Sequence, residues 1–378
     1  MQVYADNNAT TKIDKRVFDK MIPYLTDVFA NPNSTQTLGQ KAKVAVDEAR
    51  EIIASYLHAD PVEILFTGSA TESNNWVFKG VTEALNQKGK HIITTAIEHS
   101  SIQKTTEHLI SLGYEITYLP VQEDGHIKVS DFQDAIREDT ILVSIQYSNS
   151  ETGAIMPVRD IGKICKKKNI IFHIDATQAA KYLTLNVLHL HTNLLTFGAH
   201  KIYGPKGVAC LYIQKRTPIV QLMDGGQQEF NLRAGTENVS HIVGFGEAVR
   251  ILHFEQEARS DAVRKLRDYF ETLVKKDIEN ISINGTEPRM PNVSNISFIG
   301  VSTDTFLARL DMEGVYASAG SACTSGSIQI SQVLMQMHIS EEKSASAIRF
   351  SFSHTNTIEE IRYMVVILKK LTNSLRKL

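Results

Sequence analysis

Three side chains capable of chemistry, and one helix start, each follow a separate apolar run of this sequence. His99 follows HIITT, Asp175 follows NIIFHI, and Lys201 follows LLTF within the glycine-rich turn GAHKIYGPKG. The run EILF leads into TGSAT, where a helix begins. Free backbone N–H groups at a helix start bind phosphate. A lysine between a buried strand and a turn can be desolvated, which lowers the pKa of its amine and frees it for Schiff-base chemistry.

Each feature also has an ordinary structural interpretation. The spacing from Ser69 to Glu72 is a capping box, His99 could be a polar residue near a helix start, Asp175 could cap a helix, and most surface lysines are simply solvated. One ligand, pyridoxal phosphate, would use all four features together. It needs an anion site for its phosphate, a lysine for its aldehyde, a carboxylate for its pyridine nitrogen and a flat partner for its ring. A nicotinamide enzyme has no need of the lysine.

The apolar runs alternate with segments of helical period over about the first 250 residues. The runs cover residues 63–66, 91–95, 115–119, 140–145, 169–175, 194–197 and 207–213. This alternation predicts an α/β fold, with a mostly parallel sheet covered by helices on both faces. Ligands of such sheets bind beyond the carboxyl ends of the strands. We expect a large cofactor-binding domain at 14–250 and a smaller α+β domain made of 1–13 plus 251–378.

Composition narrows the class of partner. The 378 residues carry 40 basic and 42 acidic side chains, a formal net charge of -2, which gives no reason to expect direct nucleic-acid or anionic-membrane binding. Three cysteines far apart disfavour both a disulfide framework and a clustered metal site. The polar start and the lack of a long apolar stretch predict neither a targeting nor a membrane-spanning segment. We therefore expect a cytoplasmic protein that acts on a small molecule and binds no metal.

The whole chain resembles the cysteine desulfurases of the NifS/IscS type, which are class V, fold-type I pyridoxal-phosphate enzymes. The motifs that carry the resemblance are YADNNATT (4–11), NPNS (31–34), ATESNN (70–75), IEH (97–99), HIDATQ (173–178), HKIYGPKG (200–207), RAGTEN (233–238), GSACTSG (320–326) and IRFSF (348–352). Each is short, and their specificity comes from their order and spacing.

The resemblance implies roles around the cofactor ring. Lys201 would bind the cofactor's aldehyde, and Asp175 would keep the pyridine nitrogen protonated. Gln178 would bond the phenolic oxygen. His99 would stack on the ring and act as an acid/base residue.

The resemblance also implies which residues bind the phosphate and the substrate. Ala70, Thr71 and His200 would bind the phosphate, and Thr236 would reach it from the other subunit of a homodimer. Arg349 would bind the substrate carboxylate, for which its planar fork is suited.

Cys323 lies in SAGSACTSGS, whose small residues predict a mobile backbone and an exposed thiol. Cys165, on an apolar helix face, and Cys210, in an apolar strand, are interpreted as core residues. By the resemblance, Cys323 is the nucleophile that takes sulfur from L-cysteine as a persulfide, and L-alanine is released. The sulfur would then pass to an acceptor protein, either an iron–sulfur scaffold or a tRNA thiolase.

Several positions depart from the family pattern. Gly68 and Ser69 are exchanged relative to the usual TSGATE, Gly198 replaces a serine that contacts the phosphate, and Ser150 replaces an asparagine beside the cofactor. These changes predict fewer cofactor contacts. One alternative is a selenocysteine lyase or a class V aminotransferase, which would share the cofactor residues but need not depend on Cys323. The other is a non-catalytic scaffold of a sulfur-transfer pathway that binds pyridoxal phosphate weakly.

Overall fold

The computed structural model describes residues 1–320 and 330–377. Its strands are β1 (Val3–Tyr4), β2 (Ile64–Thr67), β3 (His91–Thr95), β4 (Glu115–Leu119), β5 (Thr140–Gln146), β6 (Ile171–Asp175), β7 (Leu194–Gly198), β8 (Ala209–Ile213), β9 (Ile281–Asn284), β10 (Val293–Phe298), β11 (Val315–Tyr316) and β12 (Ala347–Ser351).

Seven of these strands form one sheet, in the order β2-β8-β7-β6-β5-β3-β4. The pairs from β4 through β3, β5 and β6 to β7 are parallel, whereas β8 runs antiparallel to both of its neighbours. Every residue of β2, β3, β5, β7 and β8 is buried, as expected for a sheet covered on both faces. The predicted α/β fold is confirmed, and all seven apolar runs are strands of this sheet.

Helices cover the sheet and build the rest of the chain. They are α1 (Lys15–Met21), α2 (Pro23–Thr26), α3 (Thr37–Leu57), α4 (Ala70–Ala84), α5 (Ser100–Ser111), α6 (Val129–Ala135), α7 (Val158–Lys168), α8 (Val187–Leu190), α9 (Gln228–Asn231), α10 (Val239–Asp277), α11 (Thr303–Met312), α12 (Gln332–Gln336), α13 (Glu341–Ser344) and α14 (Ile358–Leu375). The last three residues of α9 have left-handed φ angles, so this element is a turn rather than a regular helix.

The C-terminal part contains a second, smaller sheet, in which β10 pairs antiparallel with β9 and β12. The N-terminal strand β1 joins this region through parallel pairing with β11. The N-terminal half of α10 packs in the main core, while its residues from Val263 onward share a separate core with Val3, Ala5 and α14. The division near residue 250 stays a prediction, and these two cores support it.

Among the described residues, no helix is long and apolar enough to cross a membrane.

Candidate active site

A cavity of about 290 Å³ opens at the carboxyl ends of β5, β6 and β7. This is the place where parallel sheets bind ligands. Seven of the predicted cofactor residues line it: Ala70, Thr71, His99, Asp175, Gln178, His200 and Lys201. Residues from four separate stretches of the sequence are thus brought to one site.

The turn between β2 and α4 forms one wall. The Ser69 side chain accepts a hydrogen bond from the Glu72 backbone N–H at 3.1 Å, and this N-cap starts α4 at Ala70. The Glu72 carboxylate accepts from the N–H of Gly68 at 2.8 Å, so the second half of the capping box is shifted by one residue. Because the first N–H groups of a helix have no intrahelical partner, this turn can bind an anion.

Asp175 ends β6 at the floor of the cavity. It is buried, and its two carboxylate oxygens accept hydrogen bonds from the Asn74 side chain at 2.8 Å and from the Thr177 N–H at 2.9 Å. These donors fix the carboxylate in place. A buried carboxylate with so few partners can bind a cationic ring nitrogen.

His99 is the N-cap of α5 and lines the cavity. Its Nδ1 accepts a hydrogen bond from the Ser101 N–H at 3.1 Å, so the neutral ring carries its proton on Nε2. Burial lowers the pKa of His99, and the positive charge of Lys201 lowers it further, although Asp175 opposes both effects. A neutral ring with one N–H donor can stack on a flat ligand and donate a hydrogen bond.

Glu98, next to His99, was not among the predicted site residues. Its Oε1 accepts from the Thr95 hydroxyl at 2.7 Å and from the Gln146 N–H at 3.0 Å, whereas its buried Oε2 has no partner among the described residues. Burial raises the pKa of this carboxyl group to about 8. Glu98 is therefore protonated at neutral pH, and it fixes the turn that carries His99.

Lys201 follows β7 in a short turn, Ala199–Lys201. Its Nζ donates hydrogen bonds to the backbone carbonyls of Asn8 and Ala9, the second at 2.8 Å. Burial lowers the pKa of Lys201 to about 8, and Arg349 lowers it too, against the raising effects of Asp6 and Asp175. A sizeable share of this amine is neutral near pH 8, which is the state that attacks an aldehyde.

His200 lies beside Lys201 with its Nδ1 3.1 Å from the Thr10 hydroxyl. Burial, together with the nearby lysines, lowers the pKa of His200 to about 4. The ring is therefore neutral and can contribute a hydrogen bond, but not a charge, to an anion.

The turn Asn7–Asn8, which accepts a hydrogen bond from Lys201, is itself held by two further side chains. Gln178 donates from Nε2 to the Asn8 carbonyl at 3.0 Å, and the buried Lys181 donates to the Asn7 carbonyl at 2.9 Å and to the Asn8 side chain at 3.1 Å. Burial lowers the pKa of Lys181 well below its ordinary value. Lys181 was not among the residues predicted from the sequence. Its only signal there is a charged side chain shortly after Gln178, in a stretch of small residues.

Arg349 lies in β12, next to the cavity but not in its wall. The guanidinium is buried, with Nη2 2.6 Å from Asp6 Oδ1 and Nη1 3.2 Å from the Ser150 carbonyl. Ser150 itself lines the cavity. Ser150 therefore lies between Arg349 and the cavity, and Arg349 is already paired with the carboxylate of Asp6.

The cavity fits a polar, flat and anionic group. Four buried polar atoms in its wall have no hydrogen-bond partner in the part of the chain that the structure describes: Asn74 Oδ1, Ser148 Oγ, Thr177 Oγ1 and Gln178 Oε1. Since buried polar atoms normally have partners, these atoms indicate a ligand with polar groups of its own. With Lys201 and Asp175 in the same wall, the residues present fit pyridoxal phosphate.

Gly198 leaves room beside this site. A Cβ built there would lie 3.6 Å from His200 Cδ2 and 3.9 Å from the Ala70 side chain, which are ordinary contacts. No steric requirement for glycine exists at this position.

Among the described residues of the predicted site, Thr236, like Arg349, is not in the cavity wall. Thr236 lines a different cavity of about 200 Å³, together with Gly68 and Arg233. Cys323 lies outside the described residues. The other two cysteines, Cys165 and Cys210, are fully buried in the main core, as predicted, and burial raises the pKa of both thiols.

Comparisons with known proteins agree with this geometry. The family model described as "Aminotransferase class-V" matches residues 3–364. A curated "Cysteine desulfurase IscS" from Dictyoglomus turgidum is 43% identical over 376 residues, which is 99% of this chain and 95% of the relative. A solved "NifS-like protein" superposes with a TM-score of 0.94 at 36% identity, covering 99% of this chain and 100% of the other. A structure titled "SspA in complex with cysteine" has a TM-score of 0.83 at 33% identity, covering 94% and 99%.

Proposed function

The chain belongs to the class-V aminotransferase family, and from that premise we infer that it is a pyridoxal-phosphate-dependent cysteine desulfurase whose substrate is L-cysteine. The observation that carries this conclusion at the site is the amine of Lys201. It has a lowered pKa and stands in the same cavity wall as the buried carboxylate of Asp175.

We propose that the cavity residues hold the cofactor as follows. Asp175 would bind the pyridine nitrogen, His99 would stack on the ring, and Gln178 would bond the phenolic oxygen. The start of α4, at Ala70 and Thr71, would bind the phosphate together with His200. When bound, pyridoxal phosphate withdraws electrons from the substrate's Cα.

Lys201 is the residue suited to move the substrate's Cα proton. Its amine is neutral in part near pH 8, and the carbonyls of Asn8 and Ala9 hold Nζ in place. A base whose pKa lies near the working pH is the most effective. The neutral ring of His99 has its N–H on Nε2, from which it would donate a hydrogen bond; to act as an acid it would first take up a proton.

Cys323 is the proposed nucleophile. Its thiolate would attack the substrate's sulfur, forming a sulfur–sulfur bond as the bond between that sulfur and Cβ breaks. The three-carbon remainder takes up protons and leaves as L-alanine. Arg349 would hold the substrate carboxylate during these steps.

A homodimer is part of the proposal, because Thr236 lines a second cavity rather than its own chain's active-site cavity. The sulfur acceptor would be an iron–sulfur scaffold or a tRNA thiolase. Action in the cytoplasm likewise stays a prediction of the sequence.

The deciding experiment measures sulfide and alanine released from L-cysteine. We expect Cys323→Ser to keep the cofactor's visible absorbance and to lose sulfide release, since only the nucleophile is removed. Cys165→Ala removes a thiol buried in the main core and serves as the control that should retain activity. Sulfide release by Cys323→Ser at the native rate would refute the mechanism, and selenide release from L-selenocysteine by that variant would favour a selenocysteine lyase.

A further inference from the structure

Asp6 and Arg349 form a buried ion pair beside the active site. Asp6 Oδ1 lies 2.6 Å from Arg349 Nη2, and the exposed fractions of the two side chains are 18% and 4%. Within residues 1–320 and 330–377, this is the only salt bridge of Arg349. The pair joins the N-terminal segment to β12, at the edge where Asp6 bridges Ser351.

Asp6 accepts a hydrogen bond from only one of the three guanidinium nitrogens of Arg349. Nη1 donates to the carbonyl of Ser150 at 3.2 Å and weakly to that of Gly320 at 3.5 Å. The buried Nε has no hydrogen-bond partner within residues 1–320 and 330–377. Asp6 thus engages Arg349 through one nitrogen only, whereas a guanidinium can bind a carboxylate through two parallel N–H groups.

Two carboxylates would compete for this guanidinium if Arg349 binds substrate, and the inference rests on that part of the proposed function. The substrate carboxylate would gain the Nε–H, but it would also meet the negative charge of Asp6. Two like charges that share one guanidinium repel strongly in a buried site.

We propose that Asp6 acts through Arg349 as the internal competitor of the substrate's α-carboxylate. Asp6 neutralises Arg349 when the site is empty and weakens the binding of every carboxylate ligand. Because the product L-alanine carries the same carboxylate as the substrate, re-pairing of Asp6 with Arg349 assists product release.

The test compares two ligands that differ only in this group, L-alanine and L-alaninamide. Each is titrated into the cofactor-loaded protein while the cofactor absorbance is followed, and calorimetry gives the same Kd without relying on that band. Asp6→Asn keeps an oxygen for Arg349 but removes the charge. We expect the Kd for L-alanine to fall about tenfold, because hydrogen bonds between charged partners are about twice as strong as those with a neutral partner. The Kd for L-alaninamide should not change.

Two controls isolate the effect. Asp19→Asn makes the same substitution on the exposed face of α1 and should leave both Kd values unchanged. Asp6→Glu keeps the charge and should retain weak L-alanine binding, which separates loss of charge from damage to the fold.

An L-alanine Kd for Asp6→Asn within twofold of the native value would overturn the proposal, as would an equal change for both ligands. The outcome is separable from that of the proposed function. A protein that releases no sulfide from L-cysteine but shows the selective tightening for L-alanine contradicts the desulfurase activity and supports the role of Asp6. Sulfide release without the selective tightening does the reverse.

Discussion

Glu98→Gln should make the protein's stability less sensitive to pH. The carboxyl group of Glu98 is fully buried, its Oε2 has no partner, and burial raises its pKa from the ordinary 4.5 to about 8. In the unfolded chain the group ionises near pH 4.5, so the folded state holds a proton that the unfolded state releases. Stability linked to this group is complete below pH 4.5 and is lost as the pH rises toward 8.

The size of the effect follows from the two pKa values. The loss is about 1.4 kcal/mol per pH unit between them, or about 3.5 kcal/mol from pH 5 to pH 8. Glutamine cannot ionise, yet its oxygen can still accept from Thr95 and from the Gln146 N–H. We therefore expect the free energy of unfolding of Glu98→Gln, relative to the native protein, to rise by about 3.5 kcal/mol over this range.

Urea unfolding followed by circular dichroism at pH 5, 6, 7 and 8, at one protein concentration and with cofactor bound, measures this difference. Glu107→Gln, on the exposed face of α5, is the matched control and should show a nearly constant difference. If the free energies of unfolding of the native protein and of Glu98→Gln changed with pH in parallel, the conclusion that Glu98 is buried and protonated would be refuted.

Two further predictions concern the cofactor. Because the pKa of Lys201 is about 8, the rate at which the cofactor-free protein recaptures pyridoxal phosphate should rise about eightfold between pH 7 and pH 8.5, as the neutral amine fraction grows, and stopped-flow absorbance measures it. Lys201→Ala should show no such rise and no label after borohydride reduction. Gly198→Ser should slow the loss of cofactor during dialysis several-fold, since the added side chain has ordinary contacts and brings a hydroxyl to the phosphate wall. Gly198→Ala separates the hydroxyl from the added carbon, and equal retention by both variants would contradict a phosphate contact.

The sequence predicts the strands of the sheet well, because each strand is recognised from a short run of neighbouring residues. All seven apolar runs are strands, and two of them, His91–Thr95 and Glu115–Leu119, have the predicted bounds. The residues after strands gather at one cavity because parallel strands end on the same edge. Such reasoning needs only the order of elements along the chain.

The remaining features depend on contacts between distant residues. Lys201 meets the carbonyl of Asn8 across 193 positions, and Asp6 meets Arg349 across 343. Protonation of Glu98 depends on burial by β5, which no local pattern reveals. The role of Thr236 depends on a second chain, so a single sequence can indicate it only through resemblance.

The N-terminal segment pairs with β12, which is synthesised much later. Asn7 N–H donates to the Ser351 carbonyl at 3.0 Å, and Ser351 N–H donates to the Ala5 carbonyl at 2.7 Å. The Asn7–Asn8 turn that holds Lys201 is therefore anchored by a strand that is synthesised 344 residues later. A nascent chain that has not yet exposed β12 lacks this anchor, so the turn can hold Lys201 in its final position only after β12 has left the ribosome.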